Sequence, residues 1–143
     1  MNRESAEGHE IGKFAYRELY YFCLQYHEYK REIDRIANSF GNSDYNAIRG
    51  GDKHISDPTA AKALKIALLE SKCELIEQTA LATDPYIYQA LLKNVTTGVS
   101  YEQMKACDVE ILCGRRQFYE KRKLFFFLLN LKKEGNAQAY KTC

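Results

Sequence analysis

The chain has 143 residues, 45% of them hydrophobic and 28% charged, which suits one domain, or one and a half, with a real core rather than a disordered tail. No apolar run reaches the ~18–20 residues that span a bilayer, and the polar start from Met1 to Glu7 lacks the apolar stretch of a secretory signal. Charge is unevenly placed: residues 1–112 hold 13 Lys/Arg against 17 Asp/Glu, a net of −4, and residues 113–143 hold 8 against 2, a net of +6.

Residues 1–12 read as a flexible N-terminus. From Lys13 a long helix is expected, because Leu19, Phe22, Tyr26, Tyr29, Ile33, Ile36 and Phe40 recur at alternating spacings of three and four. Such a seam must meet another helix, in the same chain or in a partner. Asn38 and Gly41-Asn42 are its stop signals. Residues 41–57 form a long polar connection, read as a mobile loop. Its Arg49-Gly50-Gly51-Asp52-Lys53 lacks the spacing of a phosphate loop and follows no apolar strand.

Asp57-Pro58 is an N-cap followed by a proline at the first helical position, so a second long helix is expected over 58–82. Ala61, Leu64, Leu68, Ser71, Leu75 and Gln78 form one seam; Leu69, Cys73, Ile76 and Ala80 form another. A helix apolar on two sides is expected between neighbours. Asp84-Pro85 repeats the cap signal and starts a shorter helix to about Asn94. Ser100-Tyr101-Glu102-Gln103 has the form of a capping box and opens a helix to about Ala106. Residues 107–113 form a turn region, a last helix runs from about Gly114 to Lys133, and 134–143 read as a frayed tail. No segment reads as a strand. The expectation is an all-α chain: a long helical hairpin over 13–82, then a trihelical, helix-turn-helix-like unit over 83–133.

The five cysteines are odd in number and form no CxxC, which suits reduced thiols in a cytoplasm. The nearest offers to a metal are Cys23 with His27 and Cys107 with Cys113, both read more simply as packing residues, so no metal and no cofactor is expected. His9, His27 and His54 are scattered, and no paired carboxylates or GxSxG occur. The sequence therefore reads as a protein without catalysis.

The last helix separates its residues by angle, at 100° per residue. With Arg115 at 0°, Tyr119, Lys123, Arg116 and Arg122 fall within an arc of about 120°. Phe118, Phe125, Leu128, Leu124 and Leu131 lie on the far side, with Lys121 among them. A helix that enters a major groove needs cations near its N-terminus on one exposed face, and an anchored opposite face. Arg suits bidentate contact with guanine, and Lys and Tyr suit phosphate. The plainer alternative is a solvated helix face. Leu124-Phe125-Phe126-Phe127-Leu128-Leu129 is apolar all round and must be buried or lie at an interface.

Four stretches carry a resemblance: Tyr21–Tyr26, Ile55–Thr59, Lys72–Ala80 and Cys113–Lys123. Through them, residues 16–131 resemble small proteins of prophages in Clostridia and related Firmicutes. The C-terminal part is similar to phage late-transcription regulators of the ArpU and RinA type and to sigma-factor region 4, in which a [FY]-Y-x-x-[RK]-[RK] pattern lies on a DNA-binding helix. Phe118-Tyr119 and Arg122-Lys123 match it. The resemblance implies that Arg115, Arg116, Tyr119, Arg122 and Lys123 face double-stranded DNA, and that the protein is a transcription regulator in a bacterial cytoplasm. The turn departs from the pattern, because it carries Asp108 and Glu110.

A second class stays open. A phage-encoded inhibitor or adaptor would act on a host protein, with the Tyr-rich first helix and the 41–57 loop as its surface. In either class a homodimer is expected, with Ile33, Phe126 and Phe127 at its interface, because the first seam and the 124–129 ring together present more apolar face than one chain covers. The competing arrangement has helix 58–82 cover the first seam, leaving only Phe126 and Phe127.

Overall fold

The computed structural model describes residues 10–50 and 57–141, with side chains at 10–40 and 57–135. Among these residues the chain is all-α, with six helices and no strand: α1 (Lys13–Leu24), α2 (Tyr26–Gly50), α3 (Pro58–Thr83), α4 (Tyr88–Thr97), α5 (Tyr101–Ala106) and α6 (Arg115–Lys141). No helix among them is long and apolar enough to cross a membrane.

The helix expected to begin at Lys13 is interrupted at Gln25. The Gln25 side-chain amide donates to the Tyr21 carbonyl at 3.2 Å. Its backbone N–H turns instead to the carbonyls of Phe22 and Cys23, a tightening of the kind that ends helices. The second correction is at the other end. Gly41 and Asn42 do not stop α2, whose backbone stays helical through Gly50. An interior glycine costs about 1 kcal/mol relative to alanine, but it keeps its N–H and so is a weaker stop than proline. The expected loop is thereby reduced at its start. Residues 51–56, with 1–9, lie outside the described residues, as does the expected mobility of that stretch.

Two compact units divide the chain: residues 1–25 with 75–143, and residues 26–74. In the 26–74 unit, α2 and α3 meet in opposite chain order. Lys72 lies over the Tyr29 ring at 5.1 Å, Lys65 pairs with Glu32 at 3.4 Å, and Lys62 reaches the Ser39 carbonyl at 3.5 Å. Asp57 caps α3 as its sequence suggests, accepting from the Thr59 N–H at 3.0 Å.

The two-sided burial expected for α3 is not found. Cys73, Ile76 and Ala80 are buried, but Leu64 is 62% exposed and Leu68 55%, with Ala61, Ser71 and Gln78 also exposed. Only one of the two apolar faces meets protein among the described residues. Thr79 and Thr83 are buried on α3 because their hydroxyls donate to the Leu75 and Thr79 carbonyls at 2.5 and 2.7 Å.

The larger unit is built on aromatic residues. Helix α1 packs on α4 and α6, and α6 also packs on α4 and α5. Leu19, Phe22 and Cys23 of α1 are buried with Leu91 and Val95 of α4, Met104 of α5, and Phe118, Phe125, Phe126 and Leu129 of α6. Helix α4 starts at Tyr88, three residues later than Pro85. Asp84 spends its carboxylate on an Asx turn, accepting from the Tyr86 N–H at 2.9 Å, and does not cap the helix. At its other end Gly98 has φ 81°, and its N–H returns to the Asn94 carbonyl at 2.8 Å. Helix α6 continues to Lys141, where a frayed tail from 134 was expected.

Candidate functional site

The first turn of α6 is set by the connection before it. The capping box of α5 is complete. Ser100 Oγ accepts from the Gln103 N–H at 3.1 Å, and Gln103 Oε1 accepts from the Ser100 N–H at 2.9 Å. At the other end the Asp108 and Val109 N–H groups bond the carbonyls of Lys105 and Met104, a Schellman closure with Asp108 at φ 61°. The Tyr101 hydroxyl donates to the Cys113 carbonyl at 2.8 Å, and Ile111 is buried. The long turn is thus held at both ends. It delivers Gly114, whose carbonyl accepts from the Phe118 N–H at 2.9 Å, to the start of α6.

Arg115, Arg116, Tyr119 and Lys123 line one shallow surface with Glu120. Phe118 and Phe125, on the opposite side of the helix, have no exposure at all. Arg116 is the freest cation, with its side chain 90% exposed and Glu120 at 3.6 Å. Arg115 pairs with Glu102 of α5 and lies over the Tyr119 ring at 5.2 Å. The Glu102 carboxyl is held below its ordinary value, first by its own backbone N–H and then by Arg115. Lys123 is 3.9 Å from Glu10. Each of these three cations therefore has an acid beside it, and none of these acids lies in the turn where Asp108 and Glu110 stood out in the sequence.

Arg122 is the residue the structure takes away from that face. Its Nε donates to Asn94 Oδ1 at 2.7 Å and its Nη1 to the Tyr16 hydroxyl at 2.9 Å. The guanidinium lies over the Phe126 ring at 4.9 Å and over Tyr16 and Tyr20 at 5.8 Å each. Asn94 in turn donates to the Val99 carbonyl at 2.7 Å, so one buried amide ties α6 to the turn after α4. Tyr119 is also partly committed, since its hydroxyl accepts from the Tyr101 N–H at 3.2 Å.

Phe126, expected at a dimer interface, is 2% exposed. It meets Tyr16 edge-on at 5.0 Å and Phe125 at 5.1 Å. The reason is α1, which packs on α6 and covers the direction that a trihelical unit alone leaves open. Phe127 and Ile33 are half-buried. Lys121, the cation within the apolar arc, reaches Asp84 at 3.6 Å.

No group of three or more His, Cys, Asp or Glu with the spacing of a metal site occurs among the described residues. Cys23 and His27 fall in different units, with Cys23 buried and His27 exposed. Burial pushes the Cys23 thiol up to about 12, and burial followed by the nearby Asp84 raises that of Cys113, so neither is a ready nucleophile. No family model matches the chain, and neither a curated protein nor a solved structure is detectably similar to it.

Proposed function

We propose that the chain is a DNA-binding protein, a regulator of the prophage type its sequence resembles, acting in a bacterial cytoplasm through the N-terminal half of α6. In this reading α2 and α3 form the helical hairpin, and α4, α5 and α6 form the helix-turn-helix-like unit. One observation carries it: Arg115, Arg116 and Lys123 stand on the accessible side of a helix start whose other side is anchored by Phe118 and Phe125. The positive end of the helix dipole adds to their charge. Their pairs with Glu102, Glu120 and Glu10 do not defeat the reading. Exposed ion pairs are worth about 0–1 kcal/mol each, and a phosphate competes with a carboxylate on such terms. Arg122 serves as a positioning residue that holds the helix, not as a contact. A mobility shift with random-sequence duplex at low salt tests the reading. Retarded duplex is expected, and no retardation at micromolar protein rejects it.

A second reading, contact with another protein, has one observation of its own: the exposed Leu64 and Leu68 on α3. The dimer expected from Phe126 loses that residue, because it is already covered. Light scattering under reducing conditions separates the outcomes. A mass near 16.6 kDa means a monomer, and one near twice that means a dimer, which Leu64→Asp should dissolve if α3 carries the contact.

A further inference from the structure

Beside the basic face, and sharing Tyr119 and Lys123 with it, lies a cleft whose other residues the DNA reading does not use as contacts. The cleft, of about 380 Å³, is lined by Glu10, Ile11, Tyr16, Tyr119, Arg122, Lys123 and Phe126. All its residues belong to the larger unit. Its polar groups are nearly all donors. The Tyr16 hydroxyl accepts from Arg122 and the Tyr119 hydroxyl accepts from the Tyr101 N–H, so each keeps its own O–H to give. Arg122 spends Nε and Nη1 on Asn94 and Tyr16. Its Nη2 has no hydrogen bond among the described residues. Because no buried side-chain polar atom among the described residues is left without a partner, that nitrogen is open to solvent. Lys123 Nζ adds a second full charge. The one carboxylate among its described lining residues, Glu10, sits 3.9 Å from Lys123 with its side chain 69% exposed. The chain's own anion thus occupies the rim of a cationic cleft and is easily moved aside.

We infer that this cleft binds a small organic phosphate. Two cations, one presented by a guanidinium whose orientation is fixed by Asn94 and Tyr16, match a phosphate dianion in charge. The two tyrosine hydroxyls supply neutral donors to its remaining oxygens. Ile11 and Phe126 among the lining residues offer apolar wall for the organic body, in a volume within the small-molecule range. Glu10 acts as a weak internal competitor for the same charge. The inference rests on the placement of Arg122 and Lys123 and needs no DNA.

Calorimetric titration of the full chain with adenosine monophosphate and, separately, with inorganic phosphate, without DNA, tests it. Saturable binding in the millimolar range or tighter is expected, with the nucleotide the tighter of the two. Glu10→Gln should strengthen binding about threefold, and Lys123→Ala should weaken it by at least as much, as expected for loss of an exposed charge contact. Both positions are exposed, so both variants should fold, which circular dichroism verifies. Arg116→Ala, outside the cleft, should leave phosphate affinity unchanged while lowering DNA affinity. That separates failure of the cleft from failure of the DNA reading. Absence of saturable binding overturns the inference, as does binding that Glu10→Gln and Lys123→Ala both leave alone. Adenosine monophosphate no tighter than inorganic phosphate rejects the organic body.

Discussion

Arg122 sits at 340° on the helical wheel of α6, beside Arg115, and by angle alone belongs to the basic face. Its partners decide otherwise: Asn94, Tyr16 and three aromatic rings hold it. Tyr16 is 106 residues away in the chain, and no periodicity within α6 carries that information. Arg122→Ala leaves Asn94 Oδ1 without its donor and removes the stem from the rings. An unsatisfied buried acceptor and the lost packing predict a loss of about 2–3 kcal/mol, measured by urea unfolding. A loss under about 0.5 kcal/mol, the ordinary surface value, would return Arg122 to the exposed face. Glu32 is a second residue whose state is set by neighbours. The Arg35 hydrogen bonds, then Lys65, lower its carboxyl from 4.5 to about 2. A folded value below the unfolded one means that its contribution is complete above 4.5 and is lost as pH falls toward 2. A side-chain carbon titration should place the Glu32 midpoint near 2, and a midpoint near 4.5 would mean that these contacts do not form in solution.

Among the elements, those with chemical start signals were legible: Asp57-Pro58 for α3 and Ser100 with Gln103 for α5 act as their residue types require. Where one signal had two outcomes the sequence was ambiguous. Asp84-Pro85 made an Asx turn rather than a cap, and Gly41 was tolerated within α2. The closure of α5 is a device the sequence hid, because the left-handed position is filled by Asp108 rather than glycine. Asp in that conformation is strained relative to glycine, so Asp108→Gly should raise stability by about 0.5–1 kcal/mol, seen as a higher Tm. A lower Tm would show that the Asp108 side chain contributes more than its backbone costs. The apolar run 124–129 shows the same limit of local pattern. Its composition required burial but did not name the cover. Tyr16 covers Phe126, so Phe126→Ala should cost about as much as Phe125→Ala, roughly 3–5 kcal/mol for a large buried aromatic. Equal chemical-denaturation midpoints for the Phe126 variant and the parent would place that ring outside the core.

At the level of the whole molecule, the all-α class followed from composition and spacing, and helical angle grouped Arg115, Arg116, Tyr119 and Lys123 but misplaced Arg122. What they lacked was pairing across the chain. α1 joins the C-terminal helices in one unit, and Glu10 and Glu102 supply acids distant in the chain to Lys123 and Arg115, beside the local pair of Arg116 with Glu120. The face is therefore a set of exchangeable ion pairs rather than a field of bare charge. Duplex binding on such a face should be dominated by phosphate contacts, and its strength should fall steeply with salt. The most direct measurement is the dependence of duplex affinity on salt concentration, by fluorescence anisotropy, for the parent chain and for Arg116→Ala with Lys123→Ala. The account predicts a linear fall of log affinity with log salt, and a slope smaller by about 2 in the double variant, one for each phosphate contact removed. The melting temperature should stay within a degree or two, because both side chains are exposed. An unchanged slope and affinity in the folded double variant would contradict the assignment of this face to DNA.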